Sequence, residues 1–261
     1  MRFASLESVG NEKIKQAVKL RESAKYRREV GRFFLEGLRL CRDAAESEAK
    51  LVALFFTEEA YEKYTRDVEF ISSKAESSFM ISPACRDKLS DTKTSQGVFL
   101  ICGLLPLEEK AGIDPTGKYI ALENIQDPSN LGAVCRTAEA LGISGAVLSG
   151  CCDIYNPKAQ RAAMGSLLRL RIFTTENLPG LLTELKKKGM TVLSTTPDRK
   201  ATAITKVDMS GGVIAVIGNE GNGVTEETQS VCERITIPMK GRAESLNASM
   251  AAAVTMWEIM R

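Results

Sequence analysis

Apolar residues along this chain fall into two rhythms: short consecutive runs, and longer stretches in which they recur every three or four positions. Tyr119 to Leu122 is a run of the first kind, followed by the polar ENIQDPSN and then by Leu131, Val134, Cys135, Ala138 and Leu141 at helical spacing. The pattern predicts a strand, a turn and a helix. Asp127, Pro128, Ser129 and Asn130 supply turn and N-cap chemistry, and Gly142 stops the helix. Asn130 and Arg136 then lie near the start of a helix that opens at the carboxyl end of a strand, the edge at which open α/β sheets bind ligands. Val213 to Ile217 predicts a second such strand, running into GNEGNG (218–223), whose glycines let backbone amides approach a ligand closely. Ile235 to Pro238 predicts a short third strand, followed by a polar loop to Glu244 and a closing helix, SLNASMAAAVTMWEIMR.

Upstream the same reading predicts a helix capped by Asn11 and carrying Ile14, Ala17, Val18 and Arg21, then a strand from Arg32 to Leu35. Gly37 leads into a helix with Leu38, Leu40, Cys41 and Ala44, Leu51 to Phe56 is a buried strand, and Thr57, Glu58 and Glu59 begin another helix. Val68 to Ile71 and Phe79 to Ile81 read as short strands, Pro83 to Leu89 as a helical turn or two, and Val98 to Leu104 as a last strand. Residues 1–105 thus form a small α/β domain. Leu105 to Lys118 has two prolines, two glycines and five charged residues, which predicts a linker over 106–118. Residues 119–261 form a second α/β domain with a parallel sheet, adding strands at Ala146 to Leu148, Leu170 to Phe173 and Thr191 to Ser194. Alternation alone predicts a doubly wound sheet and gives no ground for a threaded chain.

Composition narrows the chemistry. No apolar run reaches the roughly 18 to 20 residues of a membrane span. The N-terminus, with Glu7, Glu12 and no apolar block, lacks the form of a signal peptide. Seven scattered cysteines without a C-x-x-C pair disfavour both a disulfide framework and a zinc site, so we expect a cytoplasmic protein with no metal. The net charge of +2 announces no nucleic-acid binder, but its distribution is uneven. Between Lys13 and Arg32 stand Lys13, Lys15, Lys19, Arg21, Lys25, Arg27, Arg28 and Arg32 against only Glu22 and Glu29. That is either a solvated helix face or a phosphate-contacting patch. The chain contains no histidine, which excludes hydrolytic triads, His-ligated metals and most general-base schemes.

DPSNLGAVCRTAEALG, IGNEGNGV and IPMKGRAESLNASMAAAV resemble, in this order, the three signature motifs of the SpoU (TrmH-type) RNA 2′-O-ribose methyltransferases, which use S-adenosylmethionine. KLRESAKYRREVGRFFLEGLRLCRDAAE resembles the RNA substrate-binding domain that precedes the catalytic domain in many of these enzymes, an α/β sandwich similar to ribosomal RNA-binding proteins. SDTKTSQG (90–97) looks like that domain's polar loop.

The resemblance implies a C-terminal SPOUT-type domain whose last strand and helix pass through a preceding loop as a trefoil knot. It also implies a homodimer through this region and methylation of a ribose 2′-hydroxyl in structured RNA, above all ribosomal RNA. By the same correspondence Arg136, Asn130, Glu220, Ser245 and Asn247 are catalytic. Gly218, Ile237 and Leu246 contact the cofactor, Met239 lines the same pocket, and Thr195 and Thr196 match a position near it, with Asn219 and Gly221 alongside in the glycine loop.

The residues taken by themselves leave alternatives. Asn130, Ser245 and Asn247 are also helix-capping types, Glu220 is an ordinary turn acid, and Thr195 and Thr196 are ordinary turn residues. Arg136 is either an exposed helix arginine or a clamp for phosphate and forming alkoxide, and the family has given its arginine the general-base role. The face of the closing helix bearing Leu246, Met250, Ala253, Val254 and Trp257 is either core or interface. Two other readings of function remain, a non-catalytic RNA-binding or ribosome-assembly protein and a tRNA 2′-O-methyltransferase. A dinucleotide enzyme lacks the G-x-G-x-x-G fingerprint it needs.

Overall fold

The computed structural model describes residues 3–261 and divides into two compact units. One runs up to Pro106 and also takes in Tyr155–Leu168; the other comprises Leu107–Ile154 and Arg169–Arg261.

The first unit contains β1 (Ala4–Leu6), α1 (Glu12–Glu22), α2 (Ala24–Val30), β2 (Arg32–Glu36), α3 (Leu38–Glu46), β3 (Leu51–Phe56), α4 (Glu58–Lys63), α5 (Thr65–Lys74), β4 (Ser77–Ile81), α6 (Pro83–Leu89) and β5 (Val98–Gly103). Its sheet has the order β1-β4-β3-β5-β2, with β5 antiparallel to both its neighbours and the other pairs parallel. On one face Ile14, Ala17 and Val18 of α1 pack with Phe34, Phe55 and Phe99 of three adjacent strands. Asn11 caps α1 as its position predicts, accepting from the Lys13 N–H at 2.9 Å. One expected strand is instead helix: Val68 and Ile71 lie in α5, where a three-residue spacing puts both on one buried face.

The second unit is built from β6 (Lys118–Glu123), α7 (Pro128–Leu141) and β7 (Gly145–Ser149). Then comes α8 (Pro157–Ala163), which packs on β2 in the first unit, with the Tyr155 ring 4.7 Å from that of Phe33. The second unit resumes with β8 (Ile172–Thr174), α9 (Leu178–Lys187), β9 (Thr191–Thr195), β10 (Thr202–Ala203), β11 (Val213–Ile217), α10 (Glu226–Val231), β12 (Glu233–Thr236) and α11 (Ala248–Met260). The sheet runs β10-β12-β9-β11-β6-β7-β8 and every neighbouring pair is parallel. Because the strands are parallel and Leu122 is in register with Ile217, the loops after β6 and β11 leave from the same edge. Tyr119, Ala121, Val147, Phe173, Ile214 and Val216 bury one face of this sheet under α9. Among the described residues no helix is long and apolar enough to cross a membrane.

Several boundaries differ from expectation for physical reasons. The third strand of the motif spans Glu233–Thr236 rather than Ile235 to Pro238, since a proline has no N–H to give the ladder. The closing helix starts at Ala248, because Asn247 caps it by accepting from the Ser249 N–H at 2.9 Å; Ser245 and Leu246 are therefore in the loop. Strand β8 starts at Ile172, two residues later than the apolar run suggests. From Leu107 on, the expected linker is built into the second unit, with Ile113 2% exposed in its core and the Asp114 N–H on the Tyr119 hydroxyl at 2.9 Å.

Candidate active site

Loops following β6, β9, β11 and β12 converge at the carboxyl edge of the second sheet. The loop after β11 is closed by its own backbone: Asn219 N–H donates to the Gly223 carbonyl at 3.0 Å, and Gly223 N–H to the Asn219 carbonyl at 2.9 Å. Gly218 is required here for space rather than for its φ. A Cβ on it would lie 2.1 Å from the backbone of Gly223 and Val224, a clash that no side-chain movement relieves. The Asn219 side chain holds the loop's shape, accepting from the Gly221 N–H at 2.9 Å and donating to the Asn124 carbonyl at 2.8 Å.

A second brace comes from Glu123, the last residue of β6, which is 5% exposed. Its carboxylate accepts from the Thr225 N–H (2.8 Å) and hydroxyl (2.9 Å) and from the Thr228 hydroxyl, at the N-terminus of α10. A carboxylate there is favoured by the helix dipole, and it fixes the far end of the glycine loop to the sheet. Glu123 is not among the residues the motifs nominate; the available signal is a charged residue directly after the apolar run Tyr119 to Leu122.

Between these loops is a cavity of about 280 Å³. Thr195 and Thr196 line it from the end of β9, Gly218, Asn219 and Gly221 from the glycine loop, and Ile237, Met239 and Leu246 from the loop before α11. All eight cofactor candidates therefore share one cavity, and Glu220 and Ser245 border it too. Thr195 spends its hydroxyl on the Val216 carbonyl at 3.1 Å, and Thr196 N–H donates to the Ile235 carbonyl at 2.9 Å. Gln229 also lines the cavity, its amide donating to the Val224 carbonyl at 2.7 Å. It sits in a short polar helix with nothing in the sequence to mark it.

Three of the five catalytic candidates form a chain of hydrogen bonds. Asn247 Nδ2 donates to Asn130 Oδ1 at 3.2 Å, and Asn130 Nδ2 donates to Glu220 Oε1 at 2.9 Å. Asn130 is not the cap of α7. That role belongs to Asp127, which accepts from the Ser129 N–H at 2.9 Å, and Asn130 sits in the first turn, 8% exposed. Arg136, six residues further along α7, is exposed, with no hydrogen bond or ion pair among the described residues. Among the described residues no hydrogen bond or ion pair joins it to the other four.

Cys151 lies beside this network, its thiol donating to the Leu122 carbonyl at 3.2 Å. Burial pushes it up to about 11, with a smaller push from the Glu220 charge. Burial likewise takes Cys135 up to about 12.

In the first unit, Lys13, Lys15, Lys19, Lys25, Arg28 and Arg32 of the basic stretch are exposed. Two of the proposed RNA contacts are not surface cations. Arg27 is 3% exposed and donates to the carbonyls of Leu20 (2.6 Å) and Arg21 (3.0 Å), while Arg21 donates to those of Lys88, Leu89 and Ser90 at 2.8–3.1 Å. Both guanidiniums satisfy carbonyls at the C-terminal ends of helices, α1 and α6, which is structural work.

The SpoU rRNA Methylase family profile matches residues 117–257, and that of the MRM3-like substrate binding domain matches residues 11–100. A 23S rRNA (guanosine(2553)-2′-O)-methyltransferase, RlmP, of Bacillus subtilis is 30% identical over 97% of this chain and 98% of its own length. The structure of an AdoMet-bound rRNA methyltransferase from Sinorhizobium meliloti superposes with a TM-score of 0.86 at 25% identity, covering 98% of this chain and 97% of that one. A TrmH/SpoU tRNA-modifying enzyme from A. aeolicus covers only 56% of this chain and 74% of its own, with a TM-score of 0.52 at 25% identity. With the family profile matched over more than half its length and a relative matched end to end, this chain belongs to the SpoU rRNA methylase family.

Proposed function

We propose that the protein uses S-adenosylmethionine to methylate a ribose 2′-hydroxyl of ribosomal RNA. The observation that carries this reading is the shared cavity: residues from three separate loops, chosen for one cofactor, line one space. Its chemistry suits the group. Gly218 lets the glycine loop close tightly on itself at the cavity wall, Ile237, Met239 and Leu246 offer apolar surface, and among the described residues no lysine or arginine lines it, as expected for a zwitterion with a purine rather than for a pyrophosphate. The cofactor would supply an electrophilic methyl group on a sulfonium.

The chain's own residues then have three tasks: to hold that group, to aim the hydroxyl, and to stabilise negative charge developing on oxygen. Glu220, fixed by Asn130 and in turn by Asn247, is a rigid acceptor at the cavity's border, able to orient a ribose hydroxyl or a guanidinium. Ser245 at the same border is a second polar contact for the ribose. Arg136 carries the charge that stabilises the alkoxide and clamps the adjoining phosphate, and having no hydrogen bond or ion pair among the described residues leaves it available. Exposed cations of α1 and α2 bind RNA phosphates from the first unit.

Two further parts of the reading concern assembly. The last strand and helix, β12 and α11, pass through a preceding loop as a trefoil knot, consistent with α11 packing against α7, β6 and β11 and with Lys118 Nζ donating to the Ile259 carbonyl at 2.6 Å. The protein is a homodimer through α11. Of eight large apolar residues exposed among the described residues, five fall between Leu246 and Met260, with Trp257 62% and Met250 55% exposed. Core packing therefore does not account for this face.

Calorimetry with S-adenosylmethionine and mapping of 2′-O-methyl sites in cells with and without the protein test the reading together. Absence of cofactor binding by the full chain, or an unchanged methylation map, overturns it.

A further inference from the structure

A second cavity, of about 820 Å³, lies on the other side of the loop that follows β12. Pro197, Ile237 and Met239 line both cavities, so a single turn of chain separates them. The second differs in character, for Arg199 and Lys206 line it together with Thr202 and Thr236. Around it, the segments 197–206 and 236–244 carry Arg199, Lys200, Lys206, Lys240 and Arg242 against Asp198 and Glu244. Of the two acids, Asp198 is already engaged by Arg234, and Glu244 lines the cavity.

Four of the second unit's seven arginines are committed to ion pairs. Arg169 pairs with Glu139, Arg171 with Glu108, Arg234 with Asp198 and Arg261 with Glu258. Arg136, Arg199 and Arg242 have no such pair among the described residues, and all three are exposed. Of these only Arg199 lines the cavity, and its guanidinium, with Lys206, Thr202 and Thr236 beside it, is suited to a partner bearing repeated negative charge and acceptor oxygens.

We propose that this cavity is an RNA-backbone site of the catalytic unit, in which Arg199 and Lys206 each hold a phosphate one loop away from the cofactor cavity. The inference rests on the methyltransferase reading above. It adds a site on the second unit, distinct from the α1–α2 cations of the first. Its consequence is positional: phosphates held by Arg199 and Lys206 set the register of the strand relative to the cavity, while the cations of the first unit supply affinity.

The test uses the full chain with Arg199→Ala and Lys206→Ala combined, and Lys187→Ala with Lys188→Ala as a control of equal charge change on the exposed end of α9. Calorimetry with S-adenosylmethionine comes first. Both variants should match the parent, since none of the four side chains lines the first cavity. Binding of a short oligouridylate is then followed against salt. The double variant should bind at least tenfold more weakly at low salt, with a log–log salt slope shallower by about 1.4, as two lost contacts at about 0.7 each require for a single strand. The control should keep the parental slope. An unchanged slope in the double variant, or an equal loss in the control, overturns the inference. So does a variant that binds RNA normally but loses dimer mass in light scattering, which would assign the cations to a second copy of the chain. A parent protein that binds no cofactor refutes the methyltransferase reading instead, so the two failures are distinct.

Discussion

Asn130 and Glu220 are 90 residues apart in sequence and 2.9 Å apart in space, the amide of the first turn of α7 donating to a carboxylate in the glycine loop after β11. The bond ties the start of α7 to the glycine loop, and it orients a carboxylate whose other oxygen accepts from Asn219 Nδ2 at 3.5 Å within the loop. If Glu220 acts through this bond, Asn130→Ala and Glu220→Ala should be coupled. The double variant should turn over no more slowly than the slower single variant, rather than at the product of the two losses. Single-turnover methylation of a mapped RNA by all four proteins decides it, and multiplicative losses would separate the two residues.

Arg136→Ala should slow the chemical step by about 10²-fold or more, by comparison with other sites that stabilise an oxyanion. Cofactor affinity should barely move, because Arg136 does not line the cavity. Arg136→Lys keeps charge but loses the planar fork, so it should rescue weakly. Loss of cofactor binding and rate together would assign the arginine a different role.

Gly218→Ala and Gly221→Ala make the same change three positions apart in one loop and should differ sharply in effect. At Gly218 the added methyl meets backbone at 2.1 Å, whereas at Gly221 it meets only the Asn219 side chain at 3.5 Å. The first should cost about 1–3 kcal/mol of stability and abolish cofactor binding, while the second should be close to neutral in stability. Thermal melts and calorimetry on both variants check this.

Trp257→Lys should leave the protomer folded, since the ring is 62% exposed, but should convert a particle of twice the 28.4 kDa chain mass to a single chain in light scattering. A parent protein that is already monomeric and fully active rejects the interface.

The thiols near the site should be slow to react. A thiolate is the nucleophile, and with Cys151 raised to about 11 only about one thiol in a thousand is ionised near pH 8. Iodoacetamide should therefore label native Cys151 far more slowly than the unfolded protein, with the rate climbing as pH approaches 11. Cys135, raised to about 12, should lag behind it. Rapid labelling of Cys151 at neutral pH would contradict the buried environment.

Where local chemistry decides conformation, the chain itself determined the outcome. The limits of β11 at Val213 and Ile217, the Asn11 cap of α1 and the Gly142 stop of α7 follow from hydrophobic spacing, a side-chain acceptor next to free N–H groups, and a residue that accepts positive φ. The three motifs and their order were equally legible, and they nominated the residues that line the first cavity. Short apolar runs were not decided locally. Val68 to Ile71 suits a strand or a helix, and burial of one helical face in the first unit settled it. Long-range pairing was likewise out of reach. Whether Asn130 caps a helix or meets Glu220, whether Arg27 and Arg21 face solvent or close helix ends, and whether Tyr155–Leu168 packs with its sequence neighbours or with β2 each depend on which distant segments become neighbours. Only the tertiary structure decided them, because a polar side chain takes whichever partner the fold brings within reach, and nothing in its own position along the chain names that partner.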